Sequence, residues 1–201
     1  MNTKERILKE ALALFSQKGF KAVTVDDIAQ RVGIKAPSLY KHYKGKSEII
    51  SALLNKSMSR YKEFISTILV SPTSPPTPKE LGDKVTSLLE YSIHDEYVAP
   101  LRKIMTIEQF STKEFGDMYS DLYFNMMLDY HTELFSKMIK NGAISNGNAR
   151  ELALIYDSPF FILLGECDRH PEKEEEAKIE LRNHVEFFFS MFSPKTKLEK
   201  V

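Results

Sequence analysis

The chain has 201 residues, 42% of them hydrophobic, with 28 Lys or Arg against 28 Asp or Glu. That length suits one globular unit, or a small domain joined to a larger one. The single cysteine, Cys167, excludes an intrachain disulfide and a Cys-cluster zinc site, and it points to a reducing compartment. The apolar run Phe160 to Leu164 is far too short to cross a bilayer, and the charged N-terminus has no signal-peptide core. The expectation is a cytoplasmic protein with no membrane partner. The zero net charge hides a split: residues 1–60 hold 12 Lys or Arg against 5 Asp or Glu, and residues 61–201 hold 16 against 23. A basic head on an acidic body suits a polyanion-binding domain followed by a separate partner domain.

The apolar spacing before residue 193 is three and four, so the predicted fold class is all-α. Ile7, Ala11, Leu14 and Phe15 form the stripe of a first helix over residues 3–18. Asn2 or Thr3 can cap it, Gly19 can end it, and Phe20 can fold back on Phe15. Thr24 caps a second helix, with Asp26 and Asp27 in its positive first turn and Ile28, Ala29 and Val32 on its buried side. Gly33 stops that helix. Pro37 suits the first turn of a third helix of about two turns, ending near Tyr43 to Gly45, with Leu39 and Tyr43 on one face. A long fourth helix runs from Ser47 to Val70. The Pro-rich segment from Ser71 to Pro78 reads as an exposed loop of polyproline character. Further helices are expected at 79–95, 98–111, 114–141, 148–169 and 172–192, with breaks at Tyr97 to Pro100, Ser111 to Lys113, Asn141 to Asn148 and His170-Pro171. The tail from Pro194 is expected to fray.

Residues 24–43 thus read helix, glycine-centred turn, short helix, which is the helix-turn-helix pattern. In that geometry the second helix enters the major groove. Lys35, Ser38, Lys41 and His42 give it a polar face, and Tyr40 lies opposite the Leu39 and Tyr43 side. Ser38 can donate to or accept from a base edge, and Ala36 or Pro37 can touch a thymine methyl.

The run Thr24 to Ile50, together with Arg6-Ile7-Leu8, Ala11, Leu14-Phe15 and Gly19-Phe20, resembles the N-terminal domain of the TetR (tetracycline repressor) family. The resemblance covers about the first 55 residues. It implies a three-helix helix-turn-helix domain, residues 1–46, followed by a larger helical effector-binding and dimerisation domain, residues 47–201. It implies a ligand-responsive repressor that binds a palindromic operator as a homodimer. Thr24 matches a position that meets a phosphate; Ala36, Pro37, Ser38 and His42 fall where bases are read. Tyr40 and Lys46 fall at backbone-contacting positions, and Lys41 lies on the same polar face. Lys35 departs from the family, which often has a capping serine there. A lysine cannot accept from the exposed N–H groups and puts its charge at the wrong end of the helix dipole. Near DNA a phosphate would offset both, so Lys35 is expected to be exposed and to contact the backbone or a guanine edge.

One short helix reads few base pairs, so two copies across a twofold axis are expected. The C-terminal third supplies apolar stripes for that pairing: Leu152, Tyr156, Phe160 and Leu163 on one helix, Val185, Phe188 and Phe192 on the next. The resemblance implies that these two helices pair with their symmetry mates. It also implies an effector cavity among the middle helices, where Tyr91, His94, Met105, Tyr119, Tyr123, Met127 and His131 are the candidate lining. No cofactor or metal is expected. None of the five histidines has Glu three residues before it, and there is no His-Glu-x-x-His, Walker loop or Gly-x-Ser-x-Gly. The alternatives are a helical protein-interaction module and a small helical enzyme without nucleic-acid binding. Neither explains the basic charge gathered beside a recognition helix.

Overall fold

The computed structural model describes residues 2–68, 76–145 and 147–194. Most of the predicted Pro-rich loop, the expected last turn at Val70 and the tail beyond Pro194 lie outside the described residues. Those residues form helices and no strand. The chain divides into two compact units, Met1–Thr67 with His94–Tyr119 and Ile68–Ile93 with Ser120–Val201.

In the first unit, α1 (Thr3–Lys18) opens on a capping box: the Asn2 side chain accepts from the Glu5 N–H, and Glu5 accepts from the Asn2 N–H. It buries Ile7, Leu8, Ala11, Leu12, Leu14 and Phe15. Phe20 returns onto Phe15, with ring centroids 5.1 Å apart. The second helix, α2 (Val25–Val32), opens on a capping box between Thr24 and Asp27. Gly33 closes it at φ 77°, ψ 34°, a left-handed conformation that glycine adopts without a Cβ clash.

The third helix, α3 (Ala36–Tyr40), is one turn long, so it stops short of the expected Tyr43. Beyond Tyr40 the bond from His42 N–H to the Leu39 carbonyl tightens the chain, and the Lys44 N–H donates to Glu48, which starts the next helix. Leu39 and Tyr43 still bury side by side, at 0% and 2% exposure. The long α4 (Lys46–Ile68) buries Ile49, Ile50, Leu53 and Leu54.

The break expected at Tyr97 to Pro100 falls earlier. The chain turns at Asp95–Tyr97, and α6 (Val98–Glu108) takes Pro100 into its first turn, where a missing N–H costs nothing. Asp95 is the true start signal: its Oδ1 accepts from the N–H groups of Tyr97 and Val98 at 3.0 and 2.9 Å. α6 packs on α1 and buries Leu101, Ile104 and Met105. It ends at Glu108, three residues before the predicted limit. The short α7 (Lys113–Ser120) follows.

The second unit holds α5 (Pro78–His94, all but its last residue), a π turn at Asp121–Asn125, α8 (Met126–Lys140), α9 (Ala149–Arg169) and α10 (Glu174–Phe192). The π turn interrupts the helix expected over 114–141; a three-and-four apolar pattern carries no sign of one inserted residue. Likewise Pro171–Lys173 form a 3-10 turn, so α10 starts two residues later than predicted. Glu174 and Glu175 lie in its first turn, where Lys178 bridges both at 2.8 and 3.0 Å. Phe135, Tyr156 and Phe188, one from each of α8, α9 and α10, form a triangle of rings with centroids 5.2–5.3 Å apart. That triangle is the centre of this unit's core.

Candidate nucleic-acid interface and effector region

α3 is held from beneath and open above. Leu39 and Tyr43 anchor it, while Lys35, Pro37, Tyr40, Lys41 and His42 are exposed and Ala36 and Ser38 half-buried. Tyr40 keeps 53% of its surface in solvent. Lys35 is the residue before the helix and provides no side-chain cap, so the α3 N-terminus carries a cation and no internal acceptor.

Thr24 is exposed, but its hydroxyl is already engaged. It accepts from the Asp27 N–H at 3.1 Å and donates to Asp27 Oδ2 at 2.6 Å. The Thr24 side-chain and backbone bonds hold the Asp27 carboxyl below its ordinary pKa. Lys46, at the start of α4, is half-buried. Its ammonium donates to the carbonyls of Phe20 and Lys21, at 2.9 and 3.3 Å, and sits 4.8 Å from the Phe20 ring centre. It therefore ties α4 to the loop after α1, a role its position in the sequence did not reveal.

Two arginines that sequence reasoning passed over orient α2. Arg6 donates to the Val32 carbonyl at the end of α2, and Arg31 pairs with Glu10 of α1 at 3.0 Å. Both fix the angle between the two helices on which α3 depends. Further along α4, Arg60 grips Asp95 through Nε and Nη2, while Lys56 donates to the Tyr97 hydroxyl at 3.1 Å. Burial raises the Asp95 pKa, but Arg60 and the N–H groups of Val98 and Tyr97 outweigh it and hold the carboxyl below its usual range.

The seven candidate effector residues fall in varied settings. Met105 is buried, His94 is exposed, and Tyr91, Tyr119, Tyr123, Met127 and His131 are half-buried. His131 Nδ1 lies 2.6 Å from Oδ1 of buried Asp157.

The candidate pairing residues differ in exposure. Leu152, Tyr156, Phe160, Val185 and Phe188 are 1–6% exposed, buried in the core of their own unit; Leu163 and Phe192 are half-buried. The apolar surface that α9 and α10 leave outside carries Leu154, Ile155, Ile162, Ile179, Phe187 and Met191, all 48–68% exposed. Both helices are apolar nearly all round, so spacing alone could not say which stripe faces inward. Among the described residues no helix is long and apolar enough to cross a membrane, and no group of three or more His, Cys, Asp or Glu is placed to hold a metal ion.

A three-helix head with an exposed third helix, followed by a larger helical body, defines a helix-turn-helix protein. The profile of the tetR family of bacterial regulatory proteins matches residues 7–53 of this chain. The biofilm operon icaADBC negative transcriptional regulator IcaR of Staphylococcus epidermidis is 39% identical over 62 residues, 31% of this chain and 34% of that protein. The chain spans less than two thirds of the first curated relatives it matches, between 29% and 58% of their length. Two solved structures share the fold over nearly the whole chain. SmeT, a Stenotrophomonas maltophilia efflux-pump repressor captured with triclosan, gives a TM-score of 0.76 at 19% identity, covering 96% of this chain and 93% of that one. A TerR/AcrR-family regulator from Aquifex aeolicus gives 0.73 at 19% identity, covering 92% and 99%.

Proposed function

We propose that the chain is a non-enzymatic, DNA-binding transcriptional repressor, acting as a homodimer on a palindromic operator in the cytoplasm and released by a small molecule. The observation that carries this reading is α3: an exposed helix with a cationic, uncapped N-terminus, set on a buried Leu39–Tyr43 base within a head of surplus positive charge. Residues 1–46 form the reading head and residues 47–201 the effector and pairing body. Lys35, Ala36, Pro37, Ser38, Lys41 and His42 face the groove. Thr24, Tyr40 and Lys46 meet the backbone, Thr24 by exchanging Asp27 for a phosphate and Lys46 through whatever donor capacity its two carbonyl bonds leave.

Two heads read successive major grooves about 34–36 Å apart. The exposed face of α9 and α10, with Ile162 and Phe187, is the surface that pairs the copies. An effector bound in the body favours a form with the wrong separation of heads and so weakens DNA binding by linkage, by about 5- to 150-fold for a typical coupling. The likeness to IcaR and to SmeT supports repression and a lipophilic effector.

The experiment is a salt titration of binding to a duplex selected from a random pool. Affinity should fall steeply with salt, with a slope near −0.9 per phosphate contacted. A flat response, or failure to select any duplex, overturns the reading.

A further inference from the structure

Among the acidic side chains of the second unit, Asp157 stands apart. It projects from α9 towards α8 and is about 95% buried, yet among the described residues the only basic side chain within 4 Å is His131. Neither His131 Nδ1 nor Asp157 Oδ2 has a hydrogen-bond partner among the described residues. A buried carboxylate oxygen without a donor carries the full cost of its lost hydration. Neighbouring groups do not relieve it. Around the imidazole lie the rings of Tyr156 at 4.9 Å, Tyr130 at 5.0 Å and Phe135 at 6.0 Å. Burial, then the Asp157 charge, pushes the Tyr156 hydroxyl pKa up, and burial does the same at Tyr130, so both rings remain neutral donors at physiological pH.

A carboxylate acceptor in a neighbourhood of aromatic rings is the chemistry that recognises an organic cation. We infer that Asp157, flanked by His131 and Tyr156, is a recognition point for the protonated amine of a lipophilic ligand. The ammonium donates to the unmatched Oδ2, and the rings accept its charge on their faces. The inference rests on the effector role proposed above, and it narrows the class of effector from lipophilic molecules in general to amines. A carboxylate or phosphate ligand is repelled at the same point.

The test uses the full chain without DNA, so its outcome is independent of operator binding. Calorimetry with three matched probes, 2-naphthylmethylamine, 2-naphthalenemethanol and 2-naphthoate, separates charge from apolar bulk. The amine should bind at least about tenfold tighter than the alcohol, and the carboxylate weakest. Asp157→Asn, nearly isosteric, should remove the preference for the amine and leave the alcohol unchanged. His131→Gln should retain it, because the acceptor proposed for the ammonium, Asp157 Oδ2, is untouched. Equal affinity for amine and alcohol, no binding of the amine, or an unchanged preference in Asp157→Asn overturns the inference. Should Asp157→Asn fail to fold, the matched-probe ranking on the unaltered chain and on His131→Gln still decides: loss of the preference in His131→Gln overturns it as well. Steep, salt-dependent operator binding alongside any of those negatives leaves the repressor reading standing and removes this one alone.

Discussion

His184 of α10 serves the backbone of α9 where Pro159 leaves it short of a donor. The carbonyl of Ile155 would ordinarily pair with the N–H four residues on, but that residue is Pro159 and has none. The His184 imidazole lies 3.2 Å from the neighbouring Tyr156 carbonyl, and the Ile155 carbonyl also acts on its pKa. A carbonyl requires a donor, so the bonded nitrogen, Nε2, carries the proton. One side chain thus lets a proline sit inside a 21-residue helix and clamps α10 against α9.

Burial holds the His184 pKa below its ordinary value, and the two carbonyls only partly counter this. Protonation is therefore easier in the unfolded chain. Stability from this group is fully present above about pH 6.5 and is lost as the pH falls through the lower folded value. His184→Gln keeps an N–H donor and removes the titration. Urea denaturation followed by circular dichroism should show its stability changing less between pH 7.5 and 5 than that of the unaltered chain. An identical acid limb in both would mean that His184 does not carry the dependence.

The Tyr43 hydroxyl is buried without a hydrogen-bond partner among the described residues, and burial, with Glu48 nearby, pushes its pKa up. Lys4 lies 5.3 Å from the ring centre, a contact that phenylalanine preserves. Tyr43→Phe should be neutral or stabilising, by up to about 1 kcal/mol, since an orphaned buried donor is removed. Leu39→Ala, at a site with no exposure, should cost about 2–5 kcal/mol. Thermal melts of the two variants check both, and a marked loss in Tyr43→Phe would show that the hydroxyl has a partner after all.

At the proposed DNA face, three changes should separate. Ser38→Ala should relax preference at one base position by about 1–3 kcal/mol if that contact reads a base. Lys46→Ala should weaken all sequences alike and flatten the salt slope by about one, and it should also lower the melting temperature because the Phe20 and Lys21 carbonyls lose their donor. Lys35→Ser should weaken binding most at low salt. Fluorescence anisotropy on a selected duplex and its point variants reads all three; tighter binding by Lys35→Ser at every salt concentration would remove Lys35 from the contact set.

The two faces of α10 should answer differently to a charge. Phe187 is 62% exposed and Phe188 1%. Phe187→Glu should give folded monomers in sedimentation velocity, with weakened operator binding. Phe188→Glu should abolish folding of the unit, since an unpaired carboxylate would sit among Phe135, Tyr156 and Phe192. An intact dimer in Phe187→Glu would move the pairing surface elsewhere.

Much of the head was legible because its signals are local. Asn2, Thr24, Gly33 and Pro37 act within one helical turn of where they stand, and the 7–53 match adds a fixed register. The boundaries that slipped, at Tyr40 and Asp95, did so because a cap on the following helix won over the apolar period of the preceding one. The capping role of Asp95 was readable in principle, two and three residues ahead of the N–H groups it accepts, but Pro100 drew the break too far along.

The sequence by itself determined the helices, their caps and the basic head, because those follow from neighbours three and four residues apart and from composition. Only the tertiary structure decided which side of α9 and α10 faces inward, that Lys46 is tied to the loop after α1, and that Arg60 meets Asp95, His131 meets Asp157, and His184 the backbone beside Pro159. Each of these joins groups 25 or more residues apart, and a helix apolar on every side is silent about which of its stripes a neighbour will cover.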